Sequence, residues 1–163
     1  MLNFDFHNPT HIAFGKDRIA DLATLVPATA RVLILVGGAS AEKTGTLAEV
    51  RAALGARQHA TFSGIEPNPS YETSMKAVAQ IREGGFDFLL AVGGGSVIDA
   101  VKFIAAAVQF EGGDPWSILE QHGRNVTGAM RFGSVLTLPA TGSEMNSGGV
   151  ITHRAKGAKL AFG

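Results

Sequence analysis

A short apolar run, Phe86-Asp87-Phe88-Leu89-Leu90, runs on through Ala91-Val92 to Gly93-Gly94-Gly95-Ser96 and is followed by a stretch, Val97 to Val108, apolar nearly all the way round. Few folds accept that combination. The run has the length of a buried strand and is bounded upstream by Gly84-Gly85. The stretch after it reads as a helix covered on most sides. A strand that turns through glycine into a helix leaves the first helical N–H groups unpaired, at the positive end of the helix dipole. Without Cβ atoms in the way, a phosphate can approach those groups. The motif therefore reads as a pyrophosphate-binding turn, against the plainer reading of a tight turn that needs glycine for backbone reasons alone.

The remaining segments alternate in the same manner. Two short strands, Asn3 to His7 and His11 to Phe14, are expected around a turn at Asn8-Pro9-Thr10. A helix opened by Gly15 carries Ile19, Leu22, Ala23, Leu25 and Val26 on one face and ends at Pro27. Arg31 to Val36 is a near-continuous apolar strand of the type buried in parallel sheets, followed by Gly37-Gly38-Ala39-Ser40 and a helix over about 42–54. A strand near His59 to Phe62 leads through a proline-bearing loop to a helix over 71–83. Beyond the glycine motif, Asp114-Pro115 reads as an N-cap and first helical turn, and Ser134 to Leu138 as a further strand. Gly149 to His153 and Lys159 to Phe162 form an expected hairpin. Strands alternating with helices predict one α/β domain with a doubly wound, mainly parallel, Rossmann-like sheet and an N-terminal β-hairpin. Ligands of such sheets bind beyond the carboxyl ends of the strands, where the loops 37–40, 93–96 and 139–144 fall.

Composition closes off several functions. The 163 residues are 45% apolar and 17% charged, which suits a globular domain, and the 14 basic and 14 acidic residues cancel. No basic run suggests nucleic acid, and no apolar stretch is long enough for a transmembrane helix. The N-terminus has no signal-peptide pattern, and cysteine is absent, so a cytoplasmic location is expected.

The dinucleotide fingerprint asks for glycine at its first, third and sixth positions; Gly93 and Gly95 supply the first and third, and Ile98 stands at the sixth. Asp99 and Lys102, three apart on an apolar helix, either pair with each other or serve a ligand, Asp99 being placed to reach a hydroxyl near the glycines. Thr141-Gly142-Ser143-Glu144 fits a capping box, a ligand contact, or both. The loop 37–40 lacks the carboxylate that takes ribose hydroxyls in NAD sites. With Ser40 and Lys43 nearby, this favours NADP. The five histidines show no metal-ligand spacing, and there is neither a triphosphatase phosphate loop nor a serine-hydrolase elbow.

Taken together, Gly93 to Lys102, Ile65-Glu66-Pro67-Asn68-Pro69, Asp114-Pro115-Trp116 and Leu136 to Glu144 resemble, in order and spacing, the iron-containing (group III) alcohol dehydrogenases. The resemblance spans the chain and is strongest to bacterial NADPH-dependent aldehyde reductases, also called butanol dehydrogenases. The glycine motif alone is shared with glycerol dehydrogenases and dehydroquinate synthases. The resemblance implies a dehydroquinate synthase-like N-terminal domain that binds NADP(H). Gly94, Gly95 and Ser96 would hold the pyrophosphate, with Asp99 beside it. Gly37, Gly38 and Ser40 would face the adenosine ribose and its 2′-phosphate, with Asn68 nearby. Thr137, Leu138 and Thr141 would line the adenine, and Asn146 and Lys159 would approach the nicotinamide ribose. It also implies a homodimer through the N-terminal strand and a primary alcohol or aldehyde as substrate.

One departure stands against these matches. In that family a helical domain supplies an aspartate and three histidines to a catalytic Fe²⁺ or Zn²⁺, and this sequence stops at Gly163 before them. The expectation is therefore a cofactor-binding domain, residues 1–163, either a fragment or a natural truncation and inactive alone. No catalytic residue or metal ligand is assigned within it. The alternatives are a dehydroquinate-synthase-like or glycerol-dehydrogenase-like domain, and a non-catalytic nucleotide-binding or assembly module.

Overall fold

The computed structural model describes residues 3–5 and 7–163. Strands β1 (Val32–Val36), β2 (His59–Phe62), β3 (Phe88–Gly94) and β4 (Phe132–Leu138) form a parallel sheet in the order β2-β1-β3-β4. A 3₁₀ turn, Arg18–Asp21, leads into α1 (Leu22–Leu25). The longer connections are α3 (Thr46–Leu54), preceded by the single turn α2 (Ser40–Lys43), then α4 (Tyr71–Gly84) and α5 (Gly95–Gln109). The short α6 (Ser117–Glu120) follows, with Asp114 Oδ1 accepting from the Trp116 N–H at 2.9 Å. Strands β5 (Gly149–His153) and β6 (Ala158–Phe162) pair antiparallel as a separate hairpin. Among the described residues no helix is long and apolar enough to cross a membrane.

Side-chain alternation along the central strands splits the core into two layers. Val32, Ile34 and Val36 of β1, with Phe88, Leu90 and Val92 of β3, pack on Leu47, Val50 and Leu54 of α3. Leu33 and Leu35, with Leu89 and Ala91, pack on Ala77, Val78 and Ile81 of α4 and on α5. Both central strands are buried on both faces, which is why they read as unbroken apolar runs. Each such buried Leu, Ile or Val contributes roughly 1.5–3 kcal/mol. The sheet is thus doubly wound, and its strand order changes direction between β1 and β3.

Three expectations need correction. No strand occurs before Val32 among the described residues, so the N-terminal β-hairpin is not formed; Phe6, in its first expected strand, lies outside them. The Asn8 turn does form, with Asn8 Oδ1 accepting from the Thr10 N–H at 2.9 Å. Phe4, Ile12 and Phe14 nevertheless remain 86%, 56% and 93% exposed, so no described residue covers the alternating face that would make those segments strands. The expected helix over 42–54 is broken at Gly45, whose φ of 82° no helix accommodates. The capping box is absent too. Gly142, not Thr141, precedes a 3₁₀ turn over Ser143–Met145, and no side chain caps it. Tertiary partners have claimed Ser143.

Candidate functional site

The crevice where β1 and β3 part company is where an open α/β sheet offers a ligand site. Its floor is the ends of β1 and β3, and its rims are the loops after β1, β2 and β4. The loop after β2 is stitched to β1: Gly64 N donates to Gly37 O at 2.9 Å and Ile65 N to Val36 O at 3.2 Å.

The glycines of this crevice differ in why they are small. A Cβ on Gly93 would lie 2.6 Å from Val97 Cγ2, so Gly93 lets α5 seat closely on its own strand. One on Gly95 would lie 2.6 Å from Thr141 Oγ1, and one on Gly37 would lie 3.0 Å from the Ile65 carbonyl oxygen. These three are small because protein presses on them. Gly94 and Gly38 are not. A Cβ on Gly94 would meet only Leu138 at an ordinary 3.7 Å, and one on Gly38 would meet nothing within 4 Å. Gly94 has φ −91° and ψ −167°, extended backbone open to any residue. At these two positions no neighbouring protein atom requires glycine.

Ser96 and the half-buried first turn of the fifteen-residue α5 lie beside Gly94, and Ser40 and Lys43 are exposed on α2. Glu42, the nearby carboxylate, turns instead to Arg51 at 3.3 Å. Thr137 and Leu138 are exposed at the end of β4, and exposed Thr141 sits against Gly95. Asn68, with φ 55°, accepts from Lys159 Nζ at 2.7 Å, so the loop after β2 is joined to strand β6 by side chains far apart in sequence.

Asp99 and Lys102 are not paired directly. Ser143 stands between them, its hydroxyl donating to Asp99 Oδ1 at 2.5 Å and accepting from Lys102 Nζ at 2.9 Å. Asp99 Oδ2 accepts from Val150 N at 3.1 Å. Lys102 also donates to Asn146 Oδ1 at 2.9 Å and Gly148 O at 2.6 Å. Burial holds the Lys102 ammonium below the usual lysine range, while the charges of Asp99 and Glu144 pull it back up. Sequence reasoning offered Lys102 an ion pair with Asp99 or a ligand, and offered Ser143 a place in a capping box or a ligand contact, but not the bond between the two. The available signal was a lysine on a helix with no polar face to put it on.

A second polar cluster fastens the β5–β6 hairpin to α4. Glu66 accepts from the Ser70 and Thr73 hydroxyls at 2.6 and 3.1 Å and from Arg154. Glu72 Oε1 accepts from Ala155 N at 3.2 Å and lies 2.9 Å from His153 Nδ1. Tyr71 stacks on His153 with centroids 4.8 Å apart and donates to Asp114 Oδ1 at 2.5 Å. Burial pushes the Glu66 and Glu72 carboxyls up, yet the hydrogen bonds and the Arg154 and His153 charges outweigh it and hold both below the usual range. Asp114 is lowered chiefly by the Tyr71 hydroxyl, whose own pKa burial and Asp114 raise. Among the described residues, no three His, Asp or Glu side chains gather as a metal site.

Comparison with known proteins agrees with this architecture. The chain is 54% identical over 163 residues to the NADPH-dependent aldehyde reductase YqhD of Escherichia coli K12, covering 99% of this chain and 42% of that protein. It is 44% identical over 167 residues to a probable NADH-dependent butanol dehydrogenase 1 of Bacillus subtilis, covering 100% of this chain and 42% of that one. The crystal structure of E. coli YqhD superposes with a TM-score of 0.95 at 54% identity, over 98% of this chain and 41% of that one. The chain thus spans about two fifths of the length of these relatives. Residues 9–163 match the family model described as iron-containing alcohol dehydrogenase, and the chain belongs to that family.

Proposed function

We propose that this chain is the cofactor-holding part of an oxidoreductase that moves a hydride between NADP(H) and a primary alcohol or aldehyde. The observation that carries the reading is the space over Gly38 and Gly94, on the two sides of the crevice, which no protein atom requires. A pyrophosphate over Gly94, Gly95 and Ser96 meets the free N–H groups of α5, where an anion is favoured by the helix dipole. Gly37, Gly38 and Ser40 then face the adenosine ribose, with Asn68 nearby, and Thr137, Leu138 and Thr141 face the adenine. Asn146 and Lys159 lie toward the nicotinamide ribose, and Asp99 lies beside the phosphates, its carboxylate also anchoring Ser143 and Val150.

NADP(H) is favoured over NAD(H) because no carboxylate occupies 37–40, Glu42 is turned to Arg51, and Ser40 and Lys43 are free to meet a 2′-phosphate. The name of the E. coli relative specifies NADPH. The bound cofactor supplies or accepts the hydride; this chain binds, orients and shields it. The Fe²⁺ or Zn²⁺ of the reading, and most of the substrate wall, belong to residues outside this chain, so the chain alone turns nothing over. The same reading puts the protein in the cytoplasm and pairs two copies through the exposed N-terminal segment.

Titration with NADPH, followed by nicotinamide fluorescence, tests the reading. Saturable binding tighter than that of NADH is expected. No binding at millimolar NADPH overturns the cofactor role, and turnover by the isolated chain overturns its inactivity.

A further inference from the structure

A lysine buried in an apolar helix needs an explanation that stability does not provide. Lys102 is 6% exposed, on a helix whose neighbouring positions Val101 and Phe103 are fully buried. A buried ammonium loses its hydration and recovers it only through complete pairing, and an apolar side chain of similar shape often serves the fold as well or better. Lys102 spends all three of its donors on the 143–148 loop, at Ser143 Oγ, Asn146 Oδ1 and Gly148 O. None goes directly to a carboxylate.

These bonds decide which end of the Asn146 amide faces outward. Asn146 Oδ1 is occupied twice, by Lys102 Nζ at 2.9 Å and by Gly148 N at 3.0 Å. Asn146 Nδ2 donates one of its two hydrogens to Gly142 O at 3.0 Å, which leaves the other unspent on an exposed residue. A neutral residue at 102 would remove one of the two donors that hold the oxygen inward, and the amide could then rotate. The same ammonium holds Ser143 against Asp99 and so fixes the carboxylate on the first turns of α5.

We infer that Lys102 is a positioning residue. By locking the 142–148 loop to α5 it makes Asn146 present a hydrogen-bond donor, with fixed direction, to an oxygen of the nicotinamide half of the cofactor. The inference rests on the proposed reading that the glycine turn holds a dinucleotide with its nicotinamide ribose toward Asn146. Lys102 itself touches no ligand; its effect passes through Asn146 and Ser143.

The test compares two ligands on the protein at its native length. NADPH spans both halves of the site, whereas 2′,5′-ADP occupies the adenosine half only. Lys102→Met is expected to weaken NADPH binding about tenfold, the loss of one well-made hydrogen bond, and to leave 2′,5′-ADP within about twofold. Lys102→Arg, which keeps charge and donors, is expected to restore most of the NADPH affinity. A merely structural lysine would not give this split. Equal weakening of both ligands, or no weakening of either, overturns the inference. If circular dichroism shows Lys102→Met unfolded, Ser143→Ala is measured against the same two ligands: a smaller loss for NADPH alone supports the inference, and parallel losses or none overturn it. A wild-type protein that binds neither ligand defeats the dinucleotide reading itself, an outcome distinct from both.

Discussion

At Gly93, Gly94 and Gly95 three identical residues have three different environments, and substitutions should separate them. Alanine at Gly93 drives a methyl group into Val97 and should cost about 1–3 kcal/mol in urea unfolding, as over-packing does. Alanine at Gly94 or Gly38 meets no such obstacle. It should leave stability unchanged or raise it by about 0.4–1 kcal/mol, because the unfolded chain has less freedom to lose. The same two substitutions should nevertheless weaken NADPH binding about tenfold or more, since the methyl group fills the phosphate's space. Unchanged affinity in folded Gly94→Ala would remove the pyrophosphate from that turn. Gly95→Val is the poorer probe, since its side chain strikes Thr141 before any ligand. None of this was legible in the letters Gly-Gly-Gly-Ser, which show that bulk is absent without showing what takes its place. For the same reason Asp99 and Lys102 could be noticed in the sequence but not joined through Ser143, a residue 41 positions beyond Lys102.

Elements whose partners are local were the most legible. The strand His59–Phe62 and the start of α4 at Tyr71 fall where period and punctuation put them, with Ser70 Oγ capping the helix by accepting from Thr73 N at 3.1 Å. The β5–β6 hairpin also forms as expected, its turn closed by Gly157 N donating to Arg154 O at 3.1 Å. What holds that hairpin down was not legible, because Glu66 and Glu72 reach it across the fold, and Asp114 acts on it only by holding Tyr71, which stacks on His153. Their titration supplies a prediction. Carboxyls held below their unfolded values contribute stability that is complete above those values, 4.5 for Glu and 3.8 for Asp, and is lost as pH falls through the folded ones. Melting temperature should therefore drop on acidification between about pH 5 and about pH 2, with amide exchange at Thr152 and Ala155 rising early. Glu66→Gln should melt lower at neutral pH and show a shallower acid slope. An unchanged slope would mean that the clasp contributes nothing to acid sensitivity.

For the whole molecule, the exposed Phe4, Ile12 and Phe14 are the largest discrepancy between sequence pattern and fold. Their alternation belongs to a strand, and a strand needs an edge to pair with. Sedimentation should show a concentration-dependent dimer, and Phe4→Ser with Phe14→Ser should shift it to monomer without changing the circular dichroism of the sheet. A wild-type monomer at all concentrations would leave the N-terminal segment without its proposed partner. The strand order has a further consequence, for the order in which structure becomes available. β1 and β2 leave the ribosome first, yet β2 is an edge and β1 is flanked on its other side by β3, so Val32 waits for Phe88 and Val36 for Val92. The apolar face formed by Leu33 and Leu35 meets α4 first and is covered completely only once β3 and α5 emerge, and at about 5–20 residues per second that interval lasts seconds. Nascent β1 is therefore exposed longer than β3, and the glycine turn between β3 and α5 is synthesised before that exposure ends.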